Sequence, residues 1–320
     1  MTTLSKFRRL LIVATLGTGA LGLCAPALAD YNPKLLRIGF QKSASVLTLI
    51  KSQGTFEKLL APRGIEVKWV EFPAGPQLLE GLNVGAIDIG NVGEAPPIFA
   101  QAAGANFIYV GYEHASPQAE AIVVPKRSPI RNVADLKGKK VALNKGSNVH
   151  FLLVKVLEKA GLKYSDIQPV FLPPADARAA FERGSVDAWV IWDPFLAAAE
   201  KQIDARVIAD GTGVVNNYQF FLAEREFADK RADLIKLLFA EAQKQALAIK
   251  KDVKTAAVTI SPLQGLEPAI VEQSLTRYTL QTEPITDQVL DNQQKVADTF
   301  HELKLIPKAI KVREASLSGY

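Results

Sequence analysis

An α/β fold of two similar lobes joined by a two-strand hinge is predicted by two internal echoes and by the alternation of short apolar runs with amphipathic ones. Arg37-Ile38-Gly39-Phe40-Gln41-Lys42-Ser43-Ala44-Ser45-Val46 matches Lys140-Val141-Ala142-Leu143-Asn144-Lys145-Gly146-Ser147-Asn148-Val149 in residue character, at an offset of 103. Gly85-Ala86-Ile87-Asp88, followed after five residues by Glu94, is answered by Gly184-Ser185-Val186-Asp187 and Asp193 at an offset of 99. Each echo is an apolar run that stops at small and polar residues where a helix can begin, the strand-to-helix junction at which α/β sheets bind ligands. Two lobes with such junctions imply a cleft between them.

In chain order, residues 36–40, 67–72, 87–91 and 107–112 are short β-rich runs and read as strands. Between them 46–60, 77–83 and 97–103 carry helical spacing, the first interrupted at Gly54. This alternation predicts a largely parallel sheet with helices on its faces. Ser116-Pro117 marks a crossing. The second lobe opens at 121–124 and repeats the plan, with strands at 140–143, 167–172 and 188–191 and helices at 148–160, 176–183 and 194–201. Gly161 suits the end of the first of these helices. After a strand at 206–208, the Gly- and Asn-rich stretch 210–217 and a strand at 218–223 mark the return. From Arg231 onward the chain reads as helical, at 232–250, 254–260, 268–277 and 287–303. Helices alone cannot complete a sheet in the second lobe, so they are assigned to the first. The expected organisation is residues 30–117 and 221–320 as a discontinuous first lobe and 118–220 as the second, a double crossover that can open and close.

Residues 1–29 read as an export leader. Lys6, Arg8 and Arg9 give a basic start, 10–23 an apolar stretch too short to span a membrane comfortably, and Ala27-Leu28-Ala29 a cleavage site after Ala29. The single cysteine, Cys24, lies inside this leader behind the bulky Leu23, which favours soluble periplasmic release over a lipid anchor. The remaining 291 residues suffice for two domains with full cores and no disulfides. Removing three leader cations lowers the formal charge from +5 to about +2. With no Lys/Arg cluster interleaved with aromatics, a nucleic-acid partner is not expected.

Catalytic chemistry is sparse. A G-x-G-x-x-G at Gly17 to Gly22 falls in the leader, and Gly211-Thr212-Gly213 ends in Asn216 where a third glycine belongs, so it reads as a hinge loop. His114, His150 and His301 lack the spacing of a metal site, and neither a metal nor a cofactor is expected. There is no G-x-S-x-G elbow and no cysteine nucleophile after maturation. Glu94 and Asp193 could pair as acid and base, although helix capping is the commoner role beside proline. What remains is binding. Ser43, Ser45, Ser147 and Asn148 lie where helix-start N–H groups are unpaired and favour an anion, at matched places in both halves. Lys42 and Lys145 either add positive potential there or point into solvent.

Five runs carry a family resemblance: Trp69-Val70-Glu71-Phe72-Pro73-Ala74-Gly75-Pro76-Gln77, Pro96-Pro97-Ile98-Phe99-Ala100-Gln101-Ala102-Ala103-Gly104-Ala105, Val133-Ala134-Asp135-Leu136-Lys137-Gly138, Pro174-Ala175-Asp176-Ala177-Arg178-Ala179-Ala180-Phe181, and Val186-Asp187-Ala188-Trp189 through Trp192-Asp193-Pro194. Over nearly the whole mature chain the sequence resembles the periplasmic aliphatic sulfonate-binding proteins of bacterial ABC importers. The resemblance implies a two-lobed, type II solute-binding fold, a ligand held in the hinge cleft, and delivery to an inner-membrane permease driven by a cytoplasmic ATPase, for sulfur assimilation by a monomer. By position it places the ligand-facing segments on Gln41, Lys42 and Ser43; on Asn91, Gly93 and Glu94; on Ser147 and Asn148; and on Trp192 and Asp193. Ser43-Ala44, Asn91-Val92-Gly93 and Glu94 depart from the family's usual Gly-Ser, Ser-Thr-Gly and Asp. The expected grip is Ser43, Ser147 and Asn148 on the sulfonate head with Trp192 along the alkyl tail, core packing being the other role open to Trp192. Glu94 and Asp193 would orient donors or meet a cationic group, in which case taurine would gain an ion pair. Nitrate and pyrimidine-precursor binders, a sensor, and an enzyme on the same fold are the alternatives.

Overall fold

Residues 32–316 are described by a computed structural model, and the leader expected at 1–29 lies outside the described residues. The first part of the chain runs β1 (Leu35–Phe40), α1 (Ser45–Ser52), α2 (Thr55–Leu60), β2 (Glu66–Glu71), α3 (Gly75–Asn83), β3 (Ile89–Gly93), α4 (Ala95–Ala102) and β4 (Phe107–Glu113). Gly54 divides α1 from α2 at φ +60°, a left-handed conformation that costs glycine nothing. The middle part runs β5 (Glu120–Val124), β6 (Lys140–Leu143), α5 (Asn148–Lys159), β7 (Gln168–Phe171), α6 (Pro174–Glu182), β8 (Ala188–Trp192), α7 (Phe195–Gln202) and β9 (Arg206–Asp210). The last part contains β10 (Gln219–Glu224), α8 (Arg225–Lys230), α9 (Ala232–Lys251), α10 (Val253–Gln264), α11 (Pro268–Thr276), β11 (Thr282–Pro284) and α12 (Asp287–Glu302).

Two sheets result, ordered β2-β1-β3-β10-β4-β11 and β7-β6-β8-β5-β9. They share one plan. In each, three parallel strands (β2, β1, β3 or β7, β6, β8) are followed by an antiparallel fourth, β10 or β5, and a fifth antiparallel to that, β4 or β9. The first sheet thus takes strands from 35–113 and 219–284, the second from 120–210, and the chain crosses between them twice. One expectation needs correction: the tail after Arg231 is not wholly helical, because β11 adds an edge strand antiparallel to β4. Three residues ending in Pro284 are too few to show a period, and proline is tolerated only at such an edge.

The sequence echo has a physical basis at the far ends of the strands. The Asp88 carboxylate accepts the Arg37 N–H at 2.6 Å, and the Asp187 carboxylate accepts the Lys140 N–H at 2.8 Å. Gly85 and Gly184, three residues earlier, both sit at φ near +70°. The same turn therefore launches the same strand pair in both lobes.

The inner strands of the first sheet, β1, β3, β10 and β4, are covered on both faces, whereas Glu66, Lys68 and Glu71 of the edge strand β2 are exposed. Leu36, Ile38, Phe40, Ile108, Val110, Phe221 and Ala223 pack under α1, α9 and α10, while Phe107, Tyr109, Phe220 and Leu222 pack towards α3, α4 and α12. This period-two division between two cores gives the continuous apolar runs typical of sheets buried on both faces. The lobes also meet each other. Phe99 of α4 and Phe300 of α12 pack with His150 and Phe151 of α5 at ring separations of 5.6 to 6.0 Å, and Ile270 of α11 packs on Ala197 and Ala198 of α7. Among the described residues no helix is long and apolar enough to cross a membrane.

Candidate functional site

The C-terminal ends of β1, β3, β6 and β8 converge between the lobes on a narrow, partly open cavity. Six polar residues line it: Gln41, Ser43, Ser147, Asn148, Asn217 and Gln219. Gly75, Gly93 and Pro96 form a smooth wall, and Trp192 and Tyr278 supply aromatic surface. No lining residue carries a charge.

Six of the residues expected from the sequence are thereby brought together, namely Gln41, Ser43, Gly93, Ser147, Asn148 and Trp192. Four are not in the lining. Lys42 turns away, its Nζ donating to the Gln264 carbonyl at 3.2 Å while Gln264 Nε2 donates back to the Lys42 carbonyl. Lys145 likewise lies over the Phe171 ring, 5.5 Å from its centroid. Asn91 sits one layer below, where its carbonyl accepts from Gln41 Nε2 at 3.0 Å and fixes that amide. The Glu94 carboxylate accepts the N–H groups of Asn217 and Tyr218 at 3.3 and 3.2 Å, tying the second crossover to α4. Asp193 accepts the Ala197 N–H at 2.9 Å and pairs with Arg277.

The two aligned helix starts carry the anion-binding potential. Neither α1 nor α5 has its N-cap side chain on its first-turn N–H groups. Ser147, the N-cap of α5, instead donates its hydroxyl to the Asn144 carbonyl at 2.7 Å. The positive end of each helix is therefore directed to the cleft without a side-chain acceptor of its own. Asn148 lines the cavity and also bridges the lobes. Its Oδ1 accepts the Ala95 N–H of α4 at 3.1 Å, and its Nδ2 donates to Asn217 Oδ1 at 2.5 Å, so one amide joins the second lobe to the first and to the hinge. Gly93 leaves room for this: a Cβ there would stand 2.0 Å from Asn148 Oδ1. Trp192 belongs to the buried core and also lines the cavity, with Phe195 edge-on at 6.3 Å.

Sequence reasoning missed Gly75, Pro96, Asn217, Gln219 and Tyr278. Gly75 and Pro96 stand inside the runs quoted above, and the Gly/Asn-rich loop signalled a region containing Asn217, whose φ of +53° marks the crossover. Tyr278 had no signal, because it reaches the cavity from the end of α11, more than 80 residues from Trp192 in the chain.

Around the neutral cavity lie buried carboxylates. Burial raises Glu94 to about 7 against the pull of its two N–H donors, and raises Glu113 to about 7. Burial also takes Asp193 to about 7 although Arg277 draws it down, and pushes Glu120 well above the carboxylate range, with repulsion from Glu94 adding to it. Among the described residues no cluster could hold a metal ion.

A family model described as NMT1/THI5 like matches residues 59–254. The chain belongs to the NMT1/THI5-like family. A relative from Escherichia coli (strain K12), named for the binding of aliphatic sulfonates, is 45% identical to this NMT1/THI5-like chain over 287 residues, 89% of each. Among solved structures, the alkanesulfonate-binding protein SsuA from Xanthomonas axonopodis pv. citri, bound to MOPS, matches with a TM-score of 0.85 and 43% identity, covering 90% of this chain and 99% of that one. The periplasmic aliphatic sulphonate binding protein SsuA from Escherichia coli matches with a TM-score of 0.80 and 44% identity, covering 89% and 97%. The two-lobed α/β architecture of this NMT1/THI5-like protein is thus that of a periplasmic solute-binding protein.

Proposed function

We propose that this chain is the periplasmic solute-binding component of an ABC importer for aliphatic sulfonates, capturing the anion between its lobes and presenting it to an inner-membrane permease powered by a cytoplasmic ATPase. One observation carries the reading: an interlobe cavity lined by neutral amides, hydroxyls, two glycines, a proline and two aromatics, with helix N-termini from both lobes at its edge. A sulfonate keeps its charge at every physiological pH and offers three equivalent oxygens. Dispersed N–H and O–H donors satisfy such a head better than one planar guanidinium does, and a neutral lining lets go of it without breaking an ion pair. Gln41, Ser43 and the first N–H groups of α1 and α5 are the donors we assign to the head, with Trp192 and Tyr278 along the tail. The resemblance to the two SsuA proteins, whose names state the binding of alkanesulfonates and aliphatic sulphonates, supports the same ligand class.

Within that class we favour plain alkanesulfonates over taurine. Both carboxylates that could have met an ammonium are committed elsewhere, Glu94 to the crossover N–H groups and Asp193 to Arg277. Taurine would therefore bury an unpaired ammonium, which is costly. The same commitments leave no free acid–base pair at the cavity, and the protein is a binder and not an enzyme. Residues 30–117 with 221–320, and 118–220, are proposed as the two bodies that close on the ligand in a monomer released by cleavage after Ala29. The test is the melting temperature of the exported chain titrated with ethanesulfonate, taurine, sulfate and nitrate. Ethanesulfonate at a hundredfold excess over its Kd should stabilise by about 2.7 kcal/mol, and no rise with any sulfonate would refute the assignment.

A further inference from the structure

Arg277 stands at the C-terminal end of α11, a helix anchored in the first lobe by Val271 and Leu275, yet its guanidinium serves the second lobe. Its Nη1 lies 3.3 and 3.2 Å from the two Asp193 carboxylate oxygens, and its Nη2 is bonded to Glu200 of α7. One turn earlier Gln273 Nε2 donates to the same Glu200 oxygen at 2.8 Å, and the next residue, Tyr278, donates its hydroxyl to the Asp193 carbonyl at 3.0 Å. Ile270, buried on Ala197 and Ala198, supplies an apolar floor. Every one of these contacts crosses from one lobe to the other. Their chain neighbours face the ligand cavity: Trp192 precedes Asp193, Tyr278 follows Arg277, and both aromatics line the cavity.

We propose that Arg277 is a positioning residue for capture, a latch whose paired bonds to Asp193 and Glu200 form when the lobes close and set Trp192 and Tyr278 in place around the guest. The inference rests on the reading of the cleft as the ligand site. Its physical basis is an asymmetry between states. With the lobes apart, both the arginine and its partners are hydrated. With the lobes together, Asp193 is wholly buried and depends on Arg277 for its countercharge, so removing the arginine penalises only the closed form. The latch touches no ligand atom, and its loss therefore weakens all guests by one factor.

The experiment compares the exported chain with Arg277→Gln and Arg277→Lys. Residues 30–320 contain no cysteine, so Glu80→Cys and Arg183→Cys, at exposed positions on the two lobes, accept a spin-label pair that reads interlobe distance. Arg277→Gln should raise the Kd of ethanesulfonate and of hexanesulfonate by the same ten- to hundredfold, mainly through faster dissociation, and shift the label distances towards the open form. Arg277→Lys should recover part of the loss, and the melting temperature without ligand should change little. Unchanged affinity with unchanged distances would overturn the latch. So would a loss that differs between the two tails, which would put Arg277 on the ligand, or a fall in melting temperature with no shift in distance, which would make it merely structural. If the unsubstituted chain fails to bind either sulfonate, the ligand assignment falls. The latch is then decided by the labelled pair alone, standing if Arg277→Gln lengthens the distances and falling if it does not.

Discussion

Replacing Gly93 by alanine should abolish tight capture while leaving the unliganded fold nearly untouched. The three atoms nearest to an added Cβ all belong to the Asn148 side chain of the opposite lobe, at 2.0, 2.3 and 2.4 Å. Real Cβ contacts do not approach so closely, and a small rotation of Asn148 gives no relief, since its amide is held at one end by the Ala95 N–H and at the other by Asn217 Oδ1. Seating the methyl group therefore breaks both bonds in the closed form. At about 1 kcal/mol net for each bond, and about 1 to 3 kcal/mol where a buried partner is left unsatisfied, closure loses about 2 to 4 kcal/mol. That corresponds to a Kd raised about thirty- to a thousandfold. Calorimetric titration with an alkanesulfonate reads the affinity, and thermal unfolding without ligand reads the fold. Asn148→Ala in the same chain completes a double-mutant cycle: with the amide gone the methyl has nothing to strike, so the double variant should bind no worse than Asn148→Ala alone. Retention of affinity within threefold in Gly93→Ala, or equal further loss in the double variant, would refute the reasoning.

Trp192→Ala should weaken hexanesulfonate more than ethanesulfonate, because only the longer tail spans the indole; equal losses by titration would assign Trp192 wholly to the core. Asp88→Ala should cost about 3 to 5 kcal/mol in denaturant unfolding, since it strands the part-buried Arg37 guanidinium, whereas Asp187→Ala at the matching but exposed turn should cost about 1 kcal/mol. Stability should fall as pH rises from 5 to 8. Burial raises Glu94, Glu113 and Asp193 to about 7 in the folded chain, so their contribution is complete below about pH 4 and is lost as pH passes about 7, and Glu120, raised by burial in the same direction, adds to the fall. His150, lowered to about 4 by burial and Lys145, opposes this below its ordinary value, but for one proton only. A melting temperature that is flat or rising between pH 5 and 8 would contradict the assignment of these groups.

Local repetition was the part of the fold the sequence made legible. Asp88 and Asp187, with Gly85 and Gly184, are short-range devices that repeat because both lobes begin the same strand pair in the same way. A three-residue edge strand such as β11 has no period to read, and the linear pattern could not show it. The site was legible in proportion to its dependence on those junctions. Gln41, Ser43, Ser147 and Asn148 follow β1 and β6, Gly93 and Trp192 end β3 and β8, and all reach the cavity. Glu94 and Asp193 stand at equivalent junctions, where helix capping was the commoner expectation and orienting donors or meeting a cationic group the other. The crossover N–H groups bond one, and the Ala197 N–H with an arginine 84 residues away bond the other, partners that no local pattern shows. Tyr278 and Gln219 enter the cleft only because the chain returns to the first lobe, a long-range event with no local signature.

The same return explains why a duplicated plan yields one site and not two. In both sheets the fourth strand runs antiparallel to the first three, but β5 leads into the second lobe while β10 leads out of it. Each crossover therefore passes the C-terminal ends of the other lobe's parallel strands, and the second carries Asn217 between Glu94 of the first lobe and Asn148 of the second. Asn217 also donates to the Ser116 carbonyl of the first crossover at 2.9 Å. One left-handed asparagine thus touches both lobes and both crossovers, at a point where it lines the cavity. A hinge bonded in this way cannot open without releasing Asn148, and Asn148 cannot move without freeing the N–H at the start of α4. On the proposed reading of the cleft, closure and the arrangement of donors around the guest are therefore a single event, which is what a carrier requires if it is to hold an anion without charged side chains and still give it up.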